Sequence, residues 1–391
     1  MTLTTLTLTT FEKAKRKIGS LKRNLISVNR SLTIPYEKAL FLMFEQPKVY
    51  KKEALYFHTE YLPFKQIACR SWDPWILKDK NVYRMFFLLG NKFAEPFWVA
   101  GSIGYSISYD LKNWIYQGVA LNIDDRYEWQ NGRLLAGSCY VEDGLYYLFY
   151  SASPKSPRLF EEKIGLAISE DSKNWFKLPE PLIVADNINY SSAKELNPFL
   201  MPKPEFEHWH FRDPYLYKCP SSELYYIIFS ASAAYGHESY RGCVGIAVSE
   251  HIQGPYTLME PILYPKVEGT DEGIFFEIER PQIIFKNNQY YLFGSAWLGT
   301  LNPKVIDIYS KAGANDFSLY CYVADKLTGP YLPISSVPVV PGSNRTKLYG
   351  TNLMQDDSEN WFAYGWYPNS FACEVTPKYQ VQWDETAPAI K

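Results

Sequence analysis

From about Leu55 onward the apolar positions fall in short runs rich in Tyr, Phe, Ile, Val and Leu, separated by Gly, Asn, Asp and Pro. That spacing predicts short β-strands joined by turns. The runs recur in a fixed order. A polar or acidic residue opens a segment, an aromatic strand follows, then a Gly-Ile/Leu-Ala-x-Ser type of strand, then a turn closing on Trp or Gly-Pro-Tyr. Copies end at Trp114, Trp175, Tyr256 and Tyr331, and a looser fifth copy ends at Trp383. Their openings fall near residues 73, 138, 213, 279 and 349, a period of about 65–75 residues. Four short strands with their loops fill such a period. Five four-stranded antiparallel sheets set radially make an all-β, five-bladed β-propeller, expected over residues 55–391. A two-sheet sandwich would not repeat the same signals five times, and no segment of helical length is expected inside the repeats.

Residues 1–54 read differently, as a partly helical N-terminal extension. Within it, residues 11–30 carry seven Lys/Arg against Glu12, with Phe11, Ile18, Leu21 and Ile26 at helical spacing. A solvated helix is the expectation; a transit peptide or membrane-surface helix is the alternative. Net charge over the 391 residues is −2, which gives no global field for nucleic acid or anionic lipid. No apolar run is long enough to span a membrane. The first ten residues lack the basic start and cleavage site of a signal peptide. The six cysteines are scattered without metal-ligand spacing, so reduced thiols and a cytoplasmic location are expected. Oligomeric state is not legible.

Chemistry enters through the repeat openings. The innermost strand of a propeller blade lines the central channel, so opening residues converge. Three of them are acidic: Asp73, Asp213 and Glu279. Their neighbours Trp72, Arg212 and Arg280 suit a charged pocket, since Arg holds a carboxylate ionised and oriented. The bland alternative is that the acids only tie blades together. Convergent carboxyls without a His/Cys cluster point to glycoside chemistry, in which one carboxylate attacks and one carboxylic acid protonates the leaving group. No metal or other cofactor is expected. His208 and His210 beside Trp209 read as a rim loop, because no third zinc ligand is suitably placed. His237 is a candidate for the pocket mouth. The Asp124–Asp125 and Asp356–Asp357 pairs read as turns.

At these positions the chain resembles glycoside hydrolase family 68, the levansucrase and bacterial fructosyltransferase family of clan J. The carrying residues are Trp72-Asp73-Pro74-Trp75, Phe211-Arg212-Asp213-Pro214 and Glu277-Ile278-Glu279-Arg280, supported by Leu327-Thr-Gly-Pro-Tyr331. The resemblance covers roughly residues 70–385. It implies a nucleophile at Asp73, a transition-state stabiliser at Asp213 and a general acid/base at Glu279. It further implies sugar contacts from Trp72, Arg212, Glu277 and Arg280. Two departures stand out. The family's Trp-Ser-Gly-Ser motif reads Leu135-Ala136-Gly137-Ser138, which puts Ala136 where a serine usually supports the nucleophile and leaves Ser138 as the motif's remaining contact. Trp297 stands where an arginine often binds the leaving or acceptor sugar. The expected activity is retaining cleavage of a β-fructofuranoside such as sucrose, with hydrolysis or short-range transfer. A related furanosidase and a non-catalytic sugar-binding propeller are the alternatives.

Overall fold

A computed structural model describes residues 56–57, 69–91, 99–156, 158–192, 209–236, 240–384 and 387–391. The basic segment 11–30, the rest of the extension, His208 and His237 lie outside the described residues. Twenty-one strands are described. Blade I has β1 (Tyr56–Phe57), β2 (Cys69–Asp79), β3 (Val82–Asn91), β4 (Ala100–Ser108) and β5 (Trp114–Asn122). Blade II has β6 (Arg133–Glu142), β7 (Leu145–Ser153), β8 (Lys163–Ser169) and β9 (Phe176–Lys177). Blade III has β10 (Phe211–Lys218), β11 (Tyr225–Ser232), β12 (Gly242–Ser249) and β13 (Thr257–Leu258). Blade IV has β14 (Glu279–Lys286), β15 (Gln289–Ser295), β16 (Leu319–Ala324) and β17 (Leu332–Pro333), with helix α1 (Pro303–Lys311) between β15 and β16. Blade V has β18 (Tyr349–Gln355), β19 (Trp361–Tyr367), β20 (Ala372–Trp383) and β21 (Pro388–Ile390). Pairing within blades is antiparallel in sequence order, and β1 adds to the outer edge of blade I through β5.

The repeat has a physical cause in packing. Blades stack face to face, so their middle strands are covered on both faces and read as near-continuous apolar runs. LYYLFYSAS in β7 and YYIIFSAS in β11 are buried along almost their whole length. The turn signals are equally concrete. In the Ser-x-Asp-x-x-Asn-Trp turns of blades I and II, Asp110 accepts from the backbone of Lys112 and Asn113, as Asp171 does from Lys173 and Asn174. In blades III and IV the closing Tyr256 and Tyr331 hydroxyls donate to the carbonyls of Ile252 and Leu327. Asp124 and Asp356 likewise cap turns, as expected. Blades V and I meet through Ser71 N, which donates to Phe371 O, and Trp114 Nε1, which donates to Val375 O.

Helix α1 departs from the expectation of uninterrupted strands. Asn302 caps it by accepting from Lys304 N, and Pro303 takes the first helical position, where its missing N–H costs nothing. Buried Val305 and Tyr309 pin the helix to the core between blades III and IV.

Candidate active site

Every innermost strand is kinked at the same point. The pairing slips after Trp72, Leu135, Arg212, Glu279 and Tyr349, so each blade carries one extra residue in a β-bulge. The next residues are Asp73, Ala136, Asp213, Arg280 and Gly350. Four of these take left-handed backbone: Asp73 at φ 47°, Asp213 at 59°, Arg280 at 54° and Gly350 at 58°. For non-glycine residues that conformation is strained, and such strain gathers at functional sites. The register corrects one expectation. Glu279 is equivalent to Trp72 and Arg212, and the residue equivalent to the two aspartates is Arg280.

The five residues before the bulge, Trp72, Leu135, Arg212, Glu279 and Tyr349, form the wall of one cavity of about 420 Å³. Asp73, Asp213, Glu277 and Trp297 join them there. The structure therefore brings all three acids together, each from a different blade. Asp73 and Glu279 are partly exposed to the cavity, whereas Asp213 is buried.

Arg212 organises the acidic wall. Its Nη2 donates to Glu277 Oε2 at 2.6 Å and to Glu279 Oε1 at 2.9 Å, and its Nη1 to Glu162 Oε1 at 3.0 Å. Glu162 also accepts from Arg133 Nη2 at 2.6 Å and from Phe211 N at 2.8 Å. The Tyr349 hydroxyl donates to the second oxygen of Glu279 in a short hydrogen bond. Both carboxylate oxygens of Glu279 are thus held. Burial opposes the charge of Arg212, but Glu162, Glu279 and Glu277 outweigh it and raise its pKa well above the ordinary value.

Burial pushes Asp73 up to about 7; Arg280 pulls it down, while Asp213 and Glu279 add to the rise. Asp213 is raised to about 6, again by burial first, with Arg212 and Arg280 opposing. Glu277 is raised to about 8 by burial and by Glu279, against the pull of Arg212.

Two expected sugar contacts fall elsewhere. Arg280 lies beneath the cavity as a spoke. It donates to Pro74 O at 2.8 Å, Asn352 Oδ1 at 2.7 Å and Gly137 O at 3.3 Å, and its backbone N donates to Asp213 Oδ2 at 3.0 Å. Ser138 sits further along β6 and accepts from Leu216 N at 3.0 Å. It lines a second cavity of about 460 Å³ towards the other end of the innermost strands, which Asp213 and Arg280 also line. Arg280 is one residue past the wall position of its strand and Ser138 is three past, and neither lines the acid-walled cavity. His210 is also corrected. It is fully buried against Arg212, edge-on to Phe276 at 5.0 Å, and not on a rim loop. Trp297 does line the cavity and stacks flat on Tyr349, centroids 3.9 Å apart and planes 15° apart. Sequence reasoning passed over Tyr349, Trp366 and Glu162. Only Tyr349 carried a signal, as the opening of the fifth copy.

The model of the glycosyl hydrolases family 32 N-terminal domain matches residues 74–241. A levansucrase of Rahnella aquatilis is 24% identical over 278 residues, covering 64% of this chain and 60% of its own length. The chain is distantly similar to the levansucrases. It thus spans about 60% of the length of that curated relative. An extracellular sucrase of Zymomonas mobilis is 24% identical over 331 residues, 73% of this chain and 74% of its own. Among solved structures, inulosucrase from Halalkalicoccus jeotgali bound to kestose superposes with a TM-score of 0.61 at 21% identity, covering 83% of this chain and 87% of that one. The levansucrase-family fold is a five-bladed propeller, and this chain has it.

Proposed function

We propose that the chain is a retaining β-fructofuranosidase or fructosyltransferase acting on sucrose or a sucrose-like fructoside. The observation that carries this reading is the meeting of Asp73, Asp213 and Glu279, from three blades, in one sugar-sized cavity. Relatives named for sucrose and fructan chemistry support it.

Asp73 attacks the anomeric carbon of the fructosyl unit, and a proton passes from Glu279 to the glycosidic oxygen as the bond to the leaving sugar breaks. The fructosyl-enzyme is then released when Glu279 takes a proton from water or an acceptor hydroxyl that attacks the same carbon. Asp213, locked by the backbone N–H of Arg280, holds furanose hydroxyls as positive charge develops on the ring. Trp72 supplies the floor, and Arg212 with Glu277 shapes the far wall. Incubation with sucrose should release glucose, with equal fructose for hydrolysis and less fructose for transfer. Absence of both sugars under conditions where another furanoside is cleaved would end the fructose assignment.

A second reading is supported by Leu135 and Trp297, which make the leaving-group side apolar and aromatic. A furanosidase for a different sugar would be expected to turn over nitrophenyl arabinofuranoside faster than sucrose, and a panel of furanosides separates the two.

A further inference from the structure

The second strand of each blade carries one residue opposite the wall position. In blades II, III and IV it is serine: Ser151 faces Leu135, Ser230 faces Arg212 and Ser295 faces Glu279. Two of these serines reach across to the following blade at its bulge. Ser151 Oγ accepts from Asp213 N at 2.9 Å, and Ser295 Oγ accepts from Thr351 N at 3.2 Å. In blade V the residue at this place, opposite Tyr349, is Trp366. The blade that follows it around the ring is blade I, whose bulge presents Asp73.

Asp73 is poorly served by its neighbours. The equivalent residues on either side are Ala136 and Gly350, neither with a polar side chain. Gly350 is required by its φ of 58° and by space as well. A Cβ there would stand 2.8 Å from Asp73 Oδ1 and 3.1 Å from Trp366 Nε1. The bare glycine therefore leaves the carboxylate oxygen and the indole nitrogen bordering one gap of atomic size. Trp366 is held rigidly, edge-on to Tyr349 at 5.9 Å and tilted against Phe371 at 5.3 Å. It is 6% exposed and lines the cavity, and its Nε1 makes no hydrogen bond of normal geometry. A buried indole N–H wants an acceptor, and one bound to a charged oxygen is worth more than one bound to a neutral oxygen.

We propose that Trp366 is the positioning residue of the nucleophile: its indole N–H donates to Asp73 Oδ1 across Gly350 and holds the carboxylate ready to attack. Blade V thereby offers Asp73 a donor that Ala136, at the corresponding place in blade II, does not. The groups that face Asp73 are Arg280, Asp213 and Glu279, with Tyr349 and Cys373 nearby, and the Trp366 indole acts with Arg280 in favouring the ionised form. The inference rests on the proposed fructoside chemistry for its catalytic meaning, but not for its geometry.

Trp366→Phe keeps an aromatic side chain, though a smaller one, and removes the N–H. On sucrose, the acidic limb of kcat/KM should move up by about one pH unit, with the plateau kcat lowered more than KM is raised. The carboxyl carbon of Asp73, followed by carbon-13 NMR in labelled protein, should titrate higher by the same amount. Gly350→Ala, which wedges a methyl between donor and acceptor, should shift it the same way. A packing role alone would lower the melting temperature of Trp366→Phe and leave both pH readouts in place, and that result overturns the proposal. If wild-type protein does not cleave sucrose, the function reading falls, while the NMR titration still decides whether Trp366 governs Asp73.

Discussion

Asp73 is raised to about 7 by burial against an unfolded value near 3.8, and this has two measurable signatures. The first is catalytic. As the proposed nucleophile Asp73 must be ionised, so kcat/KM should climb through about pH 7, and Asp73→Asn should lose at least about a thousandfold in rate. The second is energetic. The native state holds a proton that the unfolded state has released, so ionising Asp73 costs stability as pH rises through this interval. Asp73→Asn removes that cost, and its melting temperature should exceed that of wild type at pH 8 but differ little at pH 4. An inactive variant with no such gain at pH 8 would show that the carboxylate is not confined as described. Arg212 behaves oppositely. It compensates three carboxylates at once, and Arg212→Lys cannot reproduce a planar fork. Loss of fructoside cleavage and a destabilisation of about 3 kcal/mol in urea unfolding are expected. The three acids were legible because the repeat marks where each innermost strand begins, and an ionisable group on a crowded strand is costly unless it has a role. Trp366 and Glu162 were not, since each acts only across a blade boundary that sequence spacing does not reveal.

At the scale of elements, the strands and turns followed from their patterns because face-to-face stacking of blades imposes one set of apolar runs on every repeat. The register did not follow. Aligning Glu279 with the two aspartates is natural by eye, but the bulge after Glu279 shows that Arg280 fills that position. The local sequence has no mark for an extra unpaired residue, so a shift of one was invisible. Helix α1 was missed for another reason: nine residues give too few turns for a clear period, and its signal lies in the Asn302-Pro303 start. Asn302 accepts from Lys304 N and donates to Gly273 O at 3.1 Å, tying the helix start to the loop before β14. Asn302→Ala should cost about 1–2 kcal/mol in chemical unfolding while leaving KM for the substrate unchanged. A large KM effect would mean that the helix shapes the sugar site.

For the whole molecule, several buried carboxyls add up. Asp73, Asp213 and Glu277 are raised to about 7, 6 and 8, so these three carboxyls hold more protons in the native state than in the unfolded chain between about pH 4 and 8. Stability contributed by those protons is present at the acid end and is lost as pH rises through the window. Thermal unfolding should therefore show a melting temperature that falls from pH 5 to pH 8. A flat or rising profile would mean that the cavity carboxyls are ionised at no cost. The propeller itself was legible as a whole because its unit repeats five times; the substrate-selecting wall was less so, because its members come from five separate strands.

The seam between blades V and I joins Ser71 to Phe371, 300 residues apart in the chain. Asp73 lies on one side of that seam and Trp366 on the other. During synthesis, therefore, the proposed nucleophile emerges about 300 residues before the blade V side chains that close its cavity. A chain stopped before blade V lacks Tyr349, Trp366 and Phe371 of the cavity lining and is expected to show no fructoside cleavage. Recovery of cleavage after unfolding becomes a clock for closing the ring, one that starts only after the individual sheets have formed.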